Sequence, residues 1–421
     1  MTDRLERRLP EVLTELAIPR MPVYIDDLLS RTERMPQRPG WTFLERWLPV
    51  GTLTSALPVG RRPILQPLLL LALVAALIVA SVAFYFGTQR RLPPLFGPAR
   101  NGIVVTANEQ GDIVSVDPAT QETRVLVAGP NVCCVDVSPD GQRFAFLRTD
   151  GTPAQEPAGL GVANVDGSNL RDLDAELATF IESLDWSPAG DRILIANEAG
   201  TVIVDVATGR QTPIETPFRV VRASWIGTTG DVLLSQRIDE AVESPASINV
   251  YRLAAGATTG AVEVAKLQHA VDYPLVSPDG SKFLYFIWGP EERTQGRIHV
   301  FDFATREDRA ITPEVDVDRA DRHSWQHVVW SPDGSVIAAE LFAETDNRVA
   351  ILPATGGTPV LLGPAFPTFT NTAIQFSPDG KSLLVTYRYS EETWLLPVDG
   401  SPGQKVDWAV REEIDWQRLA P

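Results

Sequence analysis

The chain has few reactive side chains. Its 421 residues include two cysteines, four histidines and three methionines. The cysteines, Cys133 and Cys134, are adjacent, and neighbouring Cα atoms lie about 3.8 Å apart, shorter than an ordinary disulfide prefers. Two strand thiols pointing to opposite faces are expected, with a strained vicinal disulfide as the alternative. A chain of this length buries enough apolar surface to fold without disulfides. Residues 1–132 contain neither His nor Cys, which excludes a His- and Cys-ligated zinc site there.

Catalytic signatures are missing too. There is no HExxH, no phosphate-binding P-loop, no G-x-G-x-x-G after a strand and no G-x-S-x-G nucleophile elbow. Zinc peptidases, P-loop nucleotide hydrolases and serine hydrolases of the elbow type are thereby excluded. No catalytic, cofactor-binding or metal-ligating residue is assigned, and the chain is read as not an enzyme. A hydrolase or lyase site assembled from acidic loop residues is the alternative.

Positive charge is confined to one end. Residues 1–101 hold 13 Arg against 8 carboxylates, a balance of +5, leaving 24 Lys and Arg against 46 carboxylates, or −22, beyond them. A domain of that charge repels phosphate backbones, so no nucleic-acid partner is expected.

One stretch has no charge at all. Residues 64–86, ILQPLLLLALVAALIVASVAFYF, are long enough to cross a hydrocarbon layer of about 30 Å. Arg61 and Arg62 precede it, Arg90 and Arg91 follow, and Tyr85 and Phe86 suit an interfacial belt. With some 60 residues ahead of it, the run reads as an uncleaved anchor in the bilayer rather than a signal peptide. The arginine-rich N-terminal side is expected in the cytoplasm and the remainder outside. The resulting domains are a helical head piece (1–60), the membrane helix and its flanks (61–91), a Pro-rich linker (92–101) and a β domain (102–421).

In the head piece, Leu5, Leu9, Val12, Leu13 and Leu16 share one helical face, and a second short helix fits Val23 to Glu33. Trp41, Phe43, Leu44, Trp47 and Leu48 can rest on a membrane surface.

The β domain is repetitive. The tetrapeptide SPDG begins at Ser138, Ser277, Ser331 and Ser377, always between two apolar runs, and decayed copies follow Trp186 and Trp225. In Ser138-Pro139-Asp140-Gly141, Ser277-Pro278-Asp279-Gly280, Ser331-Pro332-Asp333-Gly334 and Ser377-Pro378-Asp379-Gly380, Pro fixes φ, Asp bonds the local backbone and Gly takes positive φ. These are structural hairpin turns with no catalytic content. A second hairpin unit recurs near Asp112, Gly161, Thr201, Ile248, Arg297, Arg348 and Thr393.

Units spaced about 40 to 54 residues apart suit four-stranded propeller blades. Seven second hairpins against six SPDG-type turns predict a mainly β, seven-bladed propeller, with six or eight blades as alternatives. The last strand, around Trp416, is expected to complete the first blade and so close the ring.

On these motifs, residues 102–421 resemble the WD40-like, SPDG-repeat propellers of TolB-type proteins. That resemblance implies the fold and leaves the ligand open; TolB-type propellers commonly have six blades. The layout of cytoplasmic helices, one span and an outer β domain is similar to transmembrane anti-sigma factors. This implies a sigma factor as a cytoplasmic partner for residues 1–60.

The longest connections, Thr149 to Ala158, Arg237 to Ser247, Trp288 to Gly296 and Thr312 to Ser324, all belong on one propeller face, the candidate binding face. It carries Asp239, Glu240, Glu243, Trp288, Glu291, Glu292, Arg293, Asp316, Asp318, Arg319, Asp321, Arg322 and His323. Such a face suits a protein, peptide or glycan, with its acidity favouring a basic partner or a metal ion. Asp316, Asp318 and Asp321 resemble part of a calcium loop but lack its Gly and distal Glu, so a solvated loop is expected. His323 and His327 lie on one strand face with too long a reach for a shared metal.

Overall fold

The computed structural model describes residues 72–75, 92–108, 110–129, 132–149, 157–173, 181–238, 247–287, 297–312, 324–342, 347–366, 372–387, 392–408 and 414–420. The chain divides into two compact units, Met1–Gln89 and Arg90–Pro421. In the first, only residues 72–75 are described, and they are helical. Among the described residues no helix is long and apolar enough to cross a membrane. The head-piece helices, and residues 64–86 apart from those four, lie outside the described residues.

The second unit is a seven-bladed β-propeller, each blade an antiparallel sheet of four strands. Strands A to D are, in blade 2, Val132–Val137, Arg143–Thr149, Pro157–Asn164 and Arg171–Leu173. Blade 3 has Ile181–Trp186, Arg192–Asn197, Gly200–Asp205 and Gln211–Ile214. Blade 4 has Arg222–Ile226, Asp231–Ile238, Ser247–Leu253 and Val262–Leu267. Blade 5 has Ala270–Val276, Lys282–Ile287, Arg297–Asp302 and Asp308–Ala310. Blade 6 has Ser324–Trp330, Val336–Phe342, Asn347–Pro353 and Val360–Phe366. Blade 7 has Thr372–Phe376, Ser382–Tyr387, Glu392–Pro397 and Gln404–Val406.

Blade 1 is assembled from both ends of the unit. Arg100–Ala107, Ile113–Val116 and Thr123–Val127 supply strands B to D, and Ile414–Leu419 supplies strand A. The C-terminal strand pairs antiparallel with strand B, setting Trp416 opposite Val104. This is why six A-to-B hairpins accompany seven C-to-D hairpins: in blade 1 the A-to-B junction is hydrogen-bonded rather than covalent.

The SPDG turns are closed local networks. In all four, the Ser Oγ donates to the Asp carboxylate and accepts an N–H from five residues ahead at 3.0 Å. The Asp in turn accepts the N–H two residues on, and Gly141, Gly280, Gly334 and Gly380 have φ between +65° and +72°. The decayed turn at Ser187 keeps the glycine, Gly190 at φ +67°, and uses Asp191 in place of the missing aspartate.

Both faces of each blade are buried, so inner strands read as continuous apolar runs. In strand B of blade 2, Phe144 and Phe146 pack toward blade 1 while Ala145 and Leu147 pack toward blade 3. Seven apolar clusters join consecutive blades in this way, and the one formed by Val104, Val116 and Trp416 with Leu384, Val406 and Trp408 closes the ring between blades 7 and 1. At about 25 cal/mol per Å² of apolar area, ring closure and blade packing draw on the same hydrophobic term.

Strand A of blade 2 departs from simple alternation. Its register shifts between Cys133 and Asp136, and Cys134 adopts φ +63°, the mark of a bulge. The Cys133 side chain lies outside the described residues.

Candidate functional site

Antiparallel order sends every A-to-B and C-to-D turn to one face, here the turn face, and every B-to-C and D-to-A connection to the other. The four connections singled out in the sequence therefore leave together: three join strands B and C of blades 2, 4 and 5, and one joins strand D of blade 5 to strand A of blade 6. The candidate residues on them, Asp239, Glu240, Glu243, Trp288, Glu291, Glu292, Arg293, Asp316, Asp318, Arg319, Asp321, Arg322 and His323, all lie outside the described residues. The strand ends that carry those loops are described.

His327 lies in strand A of blade 6, whose register shifts between Gln326 and Val329. The bulge holds His327 at φ +48°, a conformation uncommon for a residue with a Cβ. Its Nδ1 lies 2.8 Å from Glu340 Oε2 on strand B; Glu340 is 1% exposed and the imidazole 36%. Glu340 sits two residues beyond Ala338 on the strand face that packs against blade 7. Across that boundary, Tyr387 is fully buried, and its ionisation is pushed well up by burial and then by the charges of Glu340 and Glu392.

Glu392, at the same end of blade 7, accepts from Lys405 Nζ at 2.8 Å and from Trp394 Nε1 at 3.0 Å. The hydrogen bond from Lys405, followed by that from Trp394, holds its carboxyl below the usual range.

A buried carboxylate on Nδ1 fixes the imidazole, which stays partly exposed. Such a group can hydrogen-bond a ligand or accept a proton. Among the described residues no three His, Cys, Asp or Glu side chains group as a metal site. Sequence reasoning placed His327 on a strand and missed Glu340, because VIAAELF reads as an apolar strand with one polar residue near its end. The register that sets Glu340 opposite Gln326 is what brings it to His327.

A second carboxylate set lines the innermost strands. Asp185 Oδ2 in blade 3 accepts the Trp225 N–H of blade 4 at 2.7 Å, and Asp415 Oδ2 in blade 1 accepts the Val137 N–H of blade 2 at 2.6 Å. Burial raises both carboxyls, that of Asp185 to about 7 despite the opposing Trp225 N–H and the charge of Arg222. These aspartates bridge consecutive blades and so hold the ring in register.

No protein-family model and no curated protein matches the chain. Solved structures do match. TolB from Acinetobacter baumannii is 18% identical, with a TM-score of 0.46 over 76% of this chain and 81% of its own. An oligogalacturonate lyase in complex with manganese is 14% identical, with a TM-score of 0.53 over 75% of this chain and 88% of its own. A prolyl endopeptidase, also 14% identical with a TM-score of 0.53, is matched over 76% of this chain but 49% of its own length. What the chain shares with the lyase and the endopeptidase is the β-propeller fold, here with seven blades.

Proposed function

We propose that the protein is a membrane-anchored, extracytoplasmic β-propeller that acts as a non-catalytic scaffold, binding a protein, peptide or glycan at its long-loop face. The observation that carries this reading is the asymmetry of the two faces. Four long connections leave one face, whereas six four-residue turns, locked by their own hydrogen bonds, cover much of the other. Long loops on a rigid scaffold are where binding residues concentrate.

The loops hold more acids than bases, so a basic partner is favoured, and its binding weakens as salt rises. The anchor is residues 64–86, with the arginine-rich residues 1–60 in the cytoplasm.

Photo-crosslinking from position 243 or 318 of the full chain in its native membrane, followed by identification of the adduct, tests this reading. A salt-sensitive adduct supports it. Absence of any adduct, together with turnover of a substrate by the purified protein that is lost in H327A, would favour the alternative of a propeller enzyme, to which the held imidazole of His327 points. A regulator of anti-sigma type is the other alternative, suggested by the arginine-rich head piece. In that case, deleting residues 1–50 alters transcription while the propeller stays in the membrane.

A further inference from the structure

The segment that leads into the propeller is docked upon it. Strand B of blade 1 starts at Arg100, at the turn-face end, so the preceding residues must cross that face. Gly97 N–H donates to Pro332 O at 2.9 Å and Ala99 N–H to Pro378 O at 2.8 Å, tying the segment to the SPDG turns of blades 6 and 7. Arg418 Nη2, from the C-terminal strand, donates to Pro94 O at 3.1 Å and Gly97 O at 2.7 Å. Asn101 Oδ1 accepts the Asp379 N–H at 3.0 Å. Within this strap Pro93, Gly97 and Ala99 are buried.

Its other side is apolar and open: Leu92, Leu95 and Phe96 are 59%, 54% and 49% exposed. Phe86, the last residue of the apolar run, is six residues from Leu92. At no more than about 3.6 Å per residue, that connection keeps Leu92 within roughly 22 Å of the end of the run. Arg90, Arg91 and Arg100 flank the strap, whereas the long loops on the opposite face are acidic. Large apolar side chains beside cationic ones suit the headgroup region of a bilayer.

We propose that residues 92–99 form a lipid-facing strap: its inner side locks onto the turns of blades 6 and 7, and Leu92, Leu95 and Phe96 rest on the membrane surface. The turn face is thereby held toward the bilayer and the long-loop face away from it. The strands, at about 3.3 Å per residue, separate the two faces by roughly 20 Å. This rests on the anchored reading above, and the docked strap can be judged without it.

Hydrogen exchange on the detergent-solubilised full chain tests the docking. The Gly97 and Ala99 amides should exchange at least about tenfold more slowly than in a free chain, and faster in R418Q. Free-chain rates in the unaltered protein overturn the strap.

The lipid contact is tested by reconstituting the full chain in vesicles of equal parts phosphatidylcholine and phosphatidylglycerol with a headgroup acceptor dye. Donor dyes are clicked onto azidophenylalanine at Ala119 or Ala207 on the turn face, or at Ala199 or Gln268 on the loop face, all exposed positions. Transfer should be higher from Ala119 and Ala207, and should fall for them in L95D/F96D. Equal or reversed transfer, or no change in L95D/F96D, overturns the proposed contact. Release of the chain from vesicles by alkaline carbonate overturns the anchored reading and the lipid contact with it, while the exchange result still decides whether the strap is docked.

Discussion

Asp185 and Trp225, forty residues apart, are joined twice: the Trp225 backbone N–H donates to the Asp185 carboxylate at 2.7 Å, and its indole Nε1–H donates to the Asp185 carbonyl at 3.2 Å. Two bonds between one pair fix both the spacing and the register of blades 3 and 4. The indole half of the device recurs where Trp186 reaches Asp136 O and where Trp330 reaches Leu275 O, each at 3.0 Å across a blade boundary. The ring is thus held by apolar clusters between blades and by polar bridges along its innermost strands.

The raised Asp185 carboxyl makes stability depend on pH. With a folded value of about 7 against about 3.9 in the unfolded chain, the unfolded state loses its proton first as pH rises. Stability should therefore fall between pH 4 and 7 and level off above. Asp185 is only partly buried by area, and water reaching it caps the effect. D185N should be more stable than the parent by about 1 to 2 kcal/mol at pH 7.5, with the difference vanishing below pH 4. Urea denaturation across this range checks it, and a gap that is constant with pH would refute it.

Removing the C-terminal strand should open the ring. Trp416 is 4% exposed, sits in the cluster between blades 7 and 1, and donates to Gly102 O at 3.0 Å. W416A should cost about 3 to 5 kcal/mol. A stop codon after Glu413 should abolish cooperative unfolding of the β domain, measured by calorimetry. A sharp transition in the truncated chain would show that six intact blades suffice.

The turn glycines should differ in their tolerance of alanine. A Cβ at Gly280 would meet Gly227 Cα at 2.9 Å, backbone against backbone in the preceding blade's turn, whereas one at Gly334 meets nothing nearer than Pro278 at 3.7 Å. Both have positive φ, so each substitution costs about 1 kcal/mol in backbone strain. G280A should lose at least about 1 kcal/mol more than G334A, because the fixed backbone of Gly227 must also shift. Equal melting temperatures would contradict this.

Glu340 and His327 should be coupled. H327A leaves a buried carboxylate without its imidazole, at an expected cost of about 2 to 4 kcal/mol. E340Q keeps shape and hydrogen-bonding capacity and should cost less. The double-mutant cycle should show an interaction of about 1 kcal/mol or more. Additive losses would mean that the two side chains are only neighbours.

Much of the fold was legible in the chain because its defining bonds are short-range. The Ser138, Ser277, Ser331 and Ser377 networks close within five residues, so the tetrapeptide alone specifies each turn. The seven C-to-D hairpins were likewise visible, and their mismatch with six SPDG-type turns pointed to the strand at Trp416. The bulges at Cys134 and His327 were not legible, since a strand that gains one extra residue keeps the same apolar composition. The acidic loop residues from Asp239 to His323 were chosen by loop length and charge, and they lie outside the described residues.

By itself the sequence determined the blade repeat, its turns and the uneven distribution of charge, and it favoured seven blades over six or eight, because each depends on residues within one hairpin or on composition. Only the tertiary structure decided which side chains meet across blades: Asp185 with Trp225, Glu340 with His327, and Arg418 with the strap 321 residues before it. Those contacts exist only once seven sheets close into a ring. The closure brings distant segments within hydrogen-bonding reach, and no local propensity encodes that proximity.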